Sequence, residues 1–208
     1  EIMERALAQG NRVGLLYAPT GGDPPARASD FAKTGVLVEV HKRIRMPEGN
    51  NNYLCRGDRR FQVEKFSRIK DVPIARVRYP EDVYHGDDLE ALARNVLALA
   101  QKVGSHQPNL GDGFSLAAAN MEPAGNLADF AAAYLLKDID EKQQLLDCLD
   151  VRERLRLVDE ALTRELVTLE LGDRIQKEIR DKVEQQQKEY FLREQIKIIR
   201  RELGEEQE

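Results

Sequence analysis

Along the last third of the chain, apolar positions return every three or four residues with hardly a break. From Asp150 to Gly204 this pattern predicts one helix of about 54 residues, roughly 80 Å long at the usual rise, several times the ordinary helix length. Asp150-Val151-Arg152-Glu153 supplies an acidic cap and a Glu at the third helical position, the signature of a capping box. Leu155, Val158, Leu162, Leu166 and Leu169 come first, then Ile175, Ile179 and Val183. Leu192, Ile196, Ile199 and Leu203 follow at 4-3-4 spacing, a coiled-coil-like seam interrupted at Gln185-Gln186-Gln187. Leu155 to Leu169 is expected to pack on the chain's own helices. Tyr190 to Leu203 is left needing a partner or a further domain. Gly172 marks a place for a break or bend, at about 1 kcal/mol relative to Ala.

Upstream, the period changes. Residues 1–9 read as the end of a helix, with Ile2, Met3, Ala6 and Leu7 on one face and Gly10-Asn11 as the stop. No charged-then-apolar leader precedes them, so the start is expected to be a cut one. Arg12 to Ala18 reads as a short buried strand and Pro19 to Ser29 as a loop. Thr34 to Met46 alternates through Val36, Val38, Val40 and Ile44; a turn follows over Pro47 to Asn51. Asn52 to Val63 is a second strand region, broken by Gly57-Asp58, with Phe61, Val63 and Phe66 alternating. Ile74 to Tyr79 is a third, with Ile74 and Val77 as core residues. Short strands with close turns predict a small, mainly antiparallel barrel or sandwich.

Beyond residues 83–87 the chain reads as helical. Asp87 to Val103 carries Leu89, Leu92, Ala93, Val96, Leu97 and Ala100 at helical spacing. Gly104 to Gly113 reads as a loop and Phe114 to Asn120 as a short helix. A helix starting at Pro123 has Leu127, Phe130, Ala131 and Tyr134 as its apolar face. Asp140 precedes another over Glu141 to Leu149. The predicted fold class is α+β. A small antiparallel β-barrel-like (PUA-like) part at 1–85 precedes a helical part at 86–149 and a long helix at 150–208.

Composition narrows the function classes. With 208 residues, 41% apolar and 33% charged, the chain can bury a core and carries a polar surface. Its net charge of −5 gives no global basic field for nucleic acid or an anionic membrane, and no stretch reads as a membrane span. Cys55 and Cys148 lie far apart without a partner motif and read as reduced thiols in a reducing compartment. His41, His85 and His106 are isolated and lack metal-ligand spacing. There is no P-loop and no Gly-x-Ser-x-Gly elbow. Asp173 to Glu208 holds nine Lys/Arg and ten Asp/Glu, so the final helix is no nucleic-acid arm. Glu184 with Lys188, and Glu189 with Arg193, read as solvated i,i+4 pairs. Asp58-Arg59-Arg60 reads as a charged corner between strands.

The segment Lys188-Glu189-Tyr190-Phe191-Leu192-Arg193-Glu194-Gln195-Ile196, with Glu202-Leu203-Gly204, closely resembles the helix that precedes the ATPase module of Lon proteases. Asn126-Leu127-Ala128-Asp129, Glu141 to Leu146 and Leu149 to Leu155 resemble that family's N-terminal helical region in the same order. Gly35-Val36-Leu37-Val38, Pro47-Glu48-Gly49, Cys55-Arg56-Gly57 and Arg60-Phe61 are similar to its β-rich part. The family's opening strands, Walker motifs and Ser-Lys pair find no positions here. The Gly104 to Gly113 loop departs from the commoner pattern.

The resemblance implies the N-terminal region of an ATP-dependent serine endopeptidase, endopeptidase La. Such an enzyme degrades misfolded, damaged and short-lived regulatory proteins in quality control and stress response. It implies a cytoplasmic homohexamer, bacterial rather than mitochondrial, using ATP and Mg in modules beyond this region. No catalytic, cofactor-binding or metal-binding residue falls within the chain. The expected partners are unfolded or damaged proteins, and no membrane. The family leaves DNA binding open, but nothing here indicates it. Met46 and Pro47 at a β-turn are candidate substrate contacts; Tyr190, Phe191, Leu192 and Ile196 are candidate docking residues. The competing readings are a stand-alone adaptor or chaperone-like protein without catalysis, and a scaffold dimerising through its final helix.

Overall fold

The computed structural model describes residues 2–8, 10–18, 28–46, 51–69 and 72–203. Contacts divide the chain into two compact units, Glu1–Leu162 and Thr163–Glu208. The first opens with helix α1 (Ile2–Ala8). Gly10 at φ +112° and Asn11 at φ +61° end it, and the Asn11 N–H donates back to the Ala6 carbonyl at 2.7 Å. Left-handed backbone favours Gly and Asn, so this stop is written in the residue types.

Four strands follow: β1 (Arg12–Leu15), β2 (Thr34–Arg45), β3 (Asn51–Ile69) and β4 (Val72–Arg78). They form one antiparallel sheet in the order β1-β2-β3-β4. The expected break at Gly57-Asp58 does not occur. β3 runs through it, and the ladder steps from Leu37↔Arg59 to Val38↔Gly57, leaving Asp58 as the extra residue of a bulge. Similar steps at Val40/Lys42 and at Val63/Lys65 bend β2 and β3. Bulges bend strands and increase their twist, and residues from both end strands, Val13 and Val77, line one pocket. The first strand stops at Leu15, short of Ala18. The expected turn after Met46 falls at 47–50, outside the described residues, as does most of the Pro19 to Ser29 loop; Ala28–Asp30 at its end is a 3-10 turn.

Val38, Val40 and Phe61 are buried as the alternation requires, while Ile44 and Ile74 are 45% and 44% exposed and do not join the core. Gly35 is held by a close approach. A Cβ there would stand 2.3 Å from the Leu15 carbonyl oxygen and 2.6 Å from the Phe61 ring. Gly35→Ala is therefore expected to cost about 1–3 kcal/mol or more, read from the urea midpoint. A loss under a few tenths would mean that β1 moves aside freely.

The helical layer comprises α2 (Leu89–Ser105), α3 (Gly111–Ala119), α4 (Ala124–Leu135), α5 (Ile139–Asp147) and the start of α6 (Val151–Glu202). Val96, Ala100, Val103, Ala128, Ala131, Leu135, Leu155 and Val158 fill its core. α3 begins at Gly111, inside the expected loop. α5 is capped by Asp138, not Asp140: the Asp138 carboxylate accepts from the Asp140 and Glu141 N–H groups. Asp150 caps α6 as its pattern predicts, accepting from the Arg152 N–H at 3.0 Å. Tyr134 is 56% exposed, contrary to its expected core position, and edges against Phe114 and Phe130 instead.

The Asp88 carboxylate, just before α2, accepts from two Arg152 guanidinium nitrogens, Nε and Nη2, each at 2.7 Å. This charge-assisted pair holds the carboxyl below its ordinary range. A lowered folded pKa means stability that is present above the unfolded value and lost as pH falls through the folded one. Asp88→Asn is expected to flatten the acid limb of melting temperature against pH. An unchanged limb would show that the pair adds nothing in solution.

The second unit is the remainder of α6 together with residues beyond it. The helix passes Gly172 without interruption. Leu166 and Leu169 are half-buried, and every large apolar residue from Leu171 onward is exposed, among them Ile175, Ile179 and Val183. Arg193 pairs with Glu189 at 3.3 Å, as i,i+4 spacing predicts, and Lys197 with Glu194 at 2.6 Å.

Candidate functional site

The curled sheet encloses an apolar trough of about 510 Å³. Phe61 forms its floor, its ring lying against Gly14. Leu37, Phe66, Val13 and Leu15 line one part; Ala75, Val77 and Tyr79 line the flank along β4. Leu15, Ile74 and Tyr79 are 44%, 44% and 49% exposed at the rim. No titratable pair or nucleophile converges there, and no group of His, Cys, Asp and Glu among the described residues could hold a metal ion. The chemistry on offer is capture of apolar side chains.

One residue earlier in β3, Arg60 turns to the opposite face, as strand alternation demands. It joins a four-charge network. Arg60 Nη1 lies 3.5 Å from Asp82, and its other terminal nitrogen bonds Asp129. Arg154 from α6, fully buried, grips Asp82 through both terminal nitrogens at 2.6 and 3.1 Å. It also approaches Asp129 at 3.4 Å. The remaining donors are used: Arg154 Nε donates to the Cys148 carbonyl and Arg60 Nε to the Leu146 carbonyl. Two cations and two anions balance, which is what makes their burial tolerable. Burial pushes the Asp129 carboxyl up, and the charges of Arg60 and Arg154 pull against that shift. For Arg154 burial opposes the charge, but the Asp82 hydrogen bond and both carboxylates outweigh it and raise its pKa. The network fastens β3 to the α4, α5 and α6 segments, with the trough on the other side of the same strand.

The residues expected to make contacts are distributed between the units. Met46, at the end of β2, is 42% exposed; Pro47 lies outside the described residues. Tyr190, Phe191, Leu192 and Ile196 sit on α6 in the second unit, 68%, 61%, 47% and 50% exposed. None of them lines the trough. Sequence reasoning passed over the trough because its lining comes from α1, four strands and the segments between. Arg60 reads from sequence as part of a charged corner between strands; the signal for its true place is an Arg beside a core Phe in a strand.

A model of the ATP-dependent protease La (LON) substrate-binding domain matches residues 1–164. The Lon protease of Dictyoglomus thermophilum is 35% identical over 205 residues, covering 98% of this chain and 26% of that protein. The Lon protease of Koribacter versatilis is 36% identical over 181 residues, covering 86% and 22%. The chain thus spans about a quarter of the length of these curated relatives. In fold it is similar to the N-terminal domain of Mycobacterium avium complex Lon protease, with a TM-score of 0.60 at 22% identity over 77% of this chain and 82% of that one.

Proposed function

The chain belongs to the family of the ATP-dependent protease La (LON) substrate-binding domain, and on that premise we propose that residues 1–162 capture unfolded or damaged proteins for an ATP-dependent serine protease. The carrying observation is that the substrate-binding model matches residues 1–164, the region that holds the apolar trough. An unfolded chain differs from a folded one chiefly in exposed apolar side chains, and a trough of this size takes a few of them at a time. One such contact is weak. Six copies in a homohexamer would multiply it, because avidity can exceed single-site affinity by about 10²–10⁴.

In this reading ATP, Mg and peptide hydrolysis belong to modules of the longer protein. Residues 1–85 and 86–149 form the capture part. Of residues 150–208, the stretch up to Leu162 completes that part and the remainder is the connection to the motor, with Tyr190, Phe191, Leu192 and Ile196 docking on neighbouring parts, and Met46 and Pro47 as further contacts at the sheet's end. The setting is the bacterial cytoplasm. The alternative reading is a stand-alone adaptor or chaperone-like protein without catalysis, which would need no motor.

Titrating the 208-residue chain into a fluorescently labelled, permanently unfolded protein is expected to raise its anisotropy with a midpoint in the micromolar range or weaker. The folded parent of the same protein should give no change. Equal responses, or none, would remove substrate capture from this chain.

A further inference from the structure

The sheet and the helical layer are joined at two places of different build. One is the strap of residues 82–88, between β4 and α2, which lies along the start of α6. The Val83 N–H donates to the Leu149 carbonyl at 2.8 Å, and the Val151 N–H to the Val83 carbonyl at 3.0 Å, a parallel bridge. Arg154 grips Asp82, and Arg152 grips Asp88. His85 Nε2 lies 3.3 Å from the Asp150 carboxylate. Gly86, at φ +94°, lets the strap stay this close: a Cβ there would stand 2.9 Å from the Asp88 carboxylate and 3.0 Å from Arg152 Cδ.

The other join starts from the sheet itself. Arg60 of β3 reaches Asp129, Asp82 and the Leu146 carbonyl. Gln143 of α5 donates to the Thr34 carbonyl at 3.1 Å, and the Tyr17 hydroxyl to Asp140 at 3.3 Å. Each of these ties is one side chain reaching across, and polar joins are the ones across which parts of a chain move. Exposure within the network decides which tie yields first. The Arg154 and Asp82 side chains are 0% and 20% exposed; Asp129, the partner of Arg60, is 38% exposed. When Arg60 leaves, water replaces its bonds and Arg154 stays between the two carboxylates. When Arg154 leaves, its buried bonds have no such replacement.

We propose that Arg60 is a latch and the strap an anchored pivot: the sheet swings against the helical layer when Arg60 releases Asp129, Asp82 and the Leu146 carbonyl, while Asp82 stays bonded to Arg154. The single Gln143 and Tyr17 bonds part with it. Hinges are short element-terminal segments that absorb the change in backbone angle. Here that change falls on residues 79–81, between the end of β4 at Arg78 and the anchored Asp82. The sheet thereby changes its tilt without losing its hold on the first turns of α6. This hinge is independent of what the sheet binds, and a chain that failed to hold unfolded protein would leave it untouched.

NMR of the 208-residue chain supplies the test. An open state at about 0.1–10%, exchanging in microseconds to milliseconds, is expected to give relaxation dispersion at the amides of Arg60, Asp129 and Leu146 and none at Val83 and Arg154. Dispersion that is equal at both places, confined to the second or absent from both overturns the latch. Arg60→Met removes it outright. Residual dipolar couplings of β2 and β3 should then fall to about 0.6 or less of what the alignment of α2 and α4 requires, the range of a flexible element. In the unaltered chain one alignment should fit both. If Arg60→Met does not fold, Asp129→Asn, which keeps the size of the side chain, should give the same separation. A merely structural Arg60 would lower the melting temperature yet leave the sheet and helices on one alignment in either variant, and that result overturns the proposal.

Discussion

Arg154→Met is expected to cost about 3–5 kcal/mol of stability, the usual result of removing one partner from a buried ion pair. Arg154 is fully buried and bonds Asp82, Asp129 and the Cys148 carbonyl. Methionine can occupy its space but leaves Asp82 and Asp129 with only Arg60 between them. In a compact unit of this size that loss lowers the melting temperature by about 10 °C or more. Arg154→Met combined with Asp82→Asn should recover part of it, since the orphaned charge is then removed. Urea unfolding of the three proteins measures both. A single-variant loss under about 1 kcal/mol would mean that water already reaches the network and that its charges behave like surface pairs.

The second large effect separates the two parts of α6. Leu155→Ala is expected to cost about 2–5 kcal/mol, because Leu155 is fully buried in the first unit. Ile179→Ala, at a 57% exposed position in the second unit, should stay within about 0.5 kcal/mol in the isolated chain. Both residues belong to one helix and both fit its apolar period. Urea midpoints at low protein concentration separate them. A cost above about 1 kcal/mol for Ile179→Ala, growing with concentration, would mean that the exposed stripe is covered by another copy.

The period of the long helix was legible because helical spacing needs only local sequence. The cap at Asp150 was legible for the same reason: a carboxylate two and three residues before free N–H groups finds them without help from elsewhere. The extent of its burial was not. Leu155 to Leu169 reads as one packing stripe, yet full burial stops at Leu162, because burial depends on tertiary packing and not on helical period. β3 runs on through Gly57-Asp58, where the sequence predicts a break. A glycine next to an aspartate is equally a turn and a bulge, and the partner strand decides which. The choice of Asp138 over Asp140 as the α5 cap likewise turned on backbone geometry, not residue type.

The order of strands and helices, the span of α6 and the family are legible in the sequence alone, since each rests on local period or on residue identity; continuity of α6 through Gly172 is not. The tertiary structure decided which surfaces carry meaning. Arg60, Asp82, Asp129 and Arg154 are spread over 95 positions of the chain and become one network only when β3, α4 and α6 meet. The trough exists only because the folded unit brings Val13 and Val77, from the two end strands of the sheet, to line one cavity. Such long-range pairing is fixed by packing the whole unit, and no window of sequence contains it.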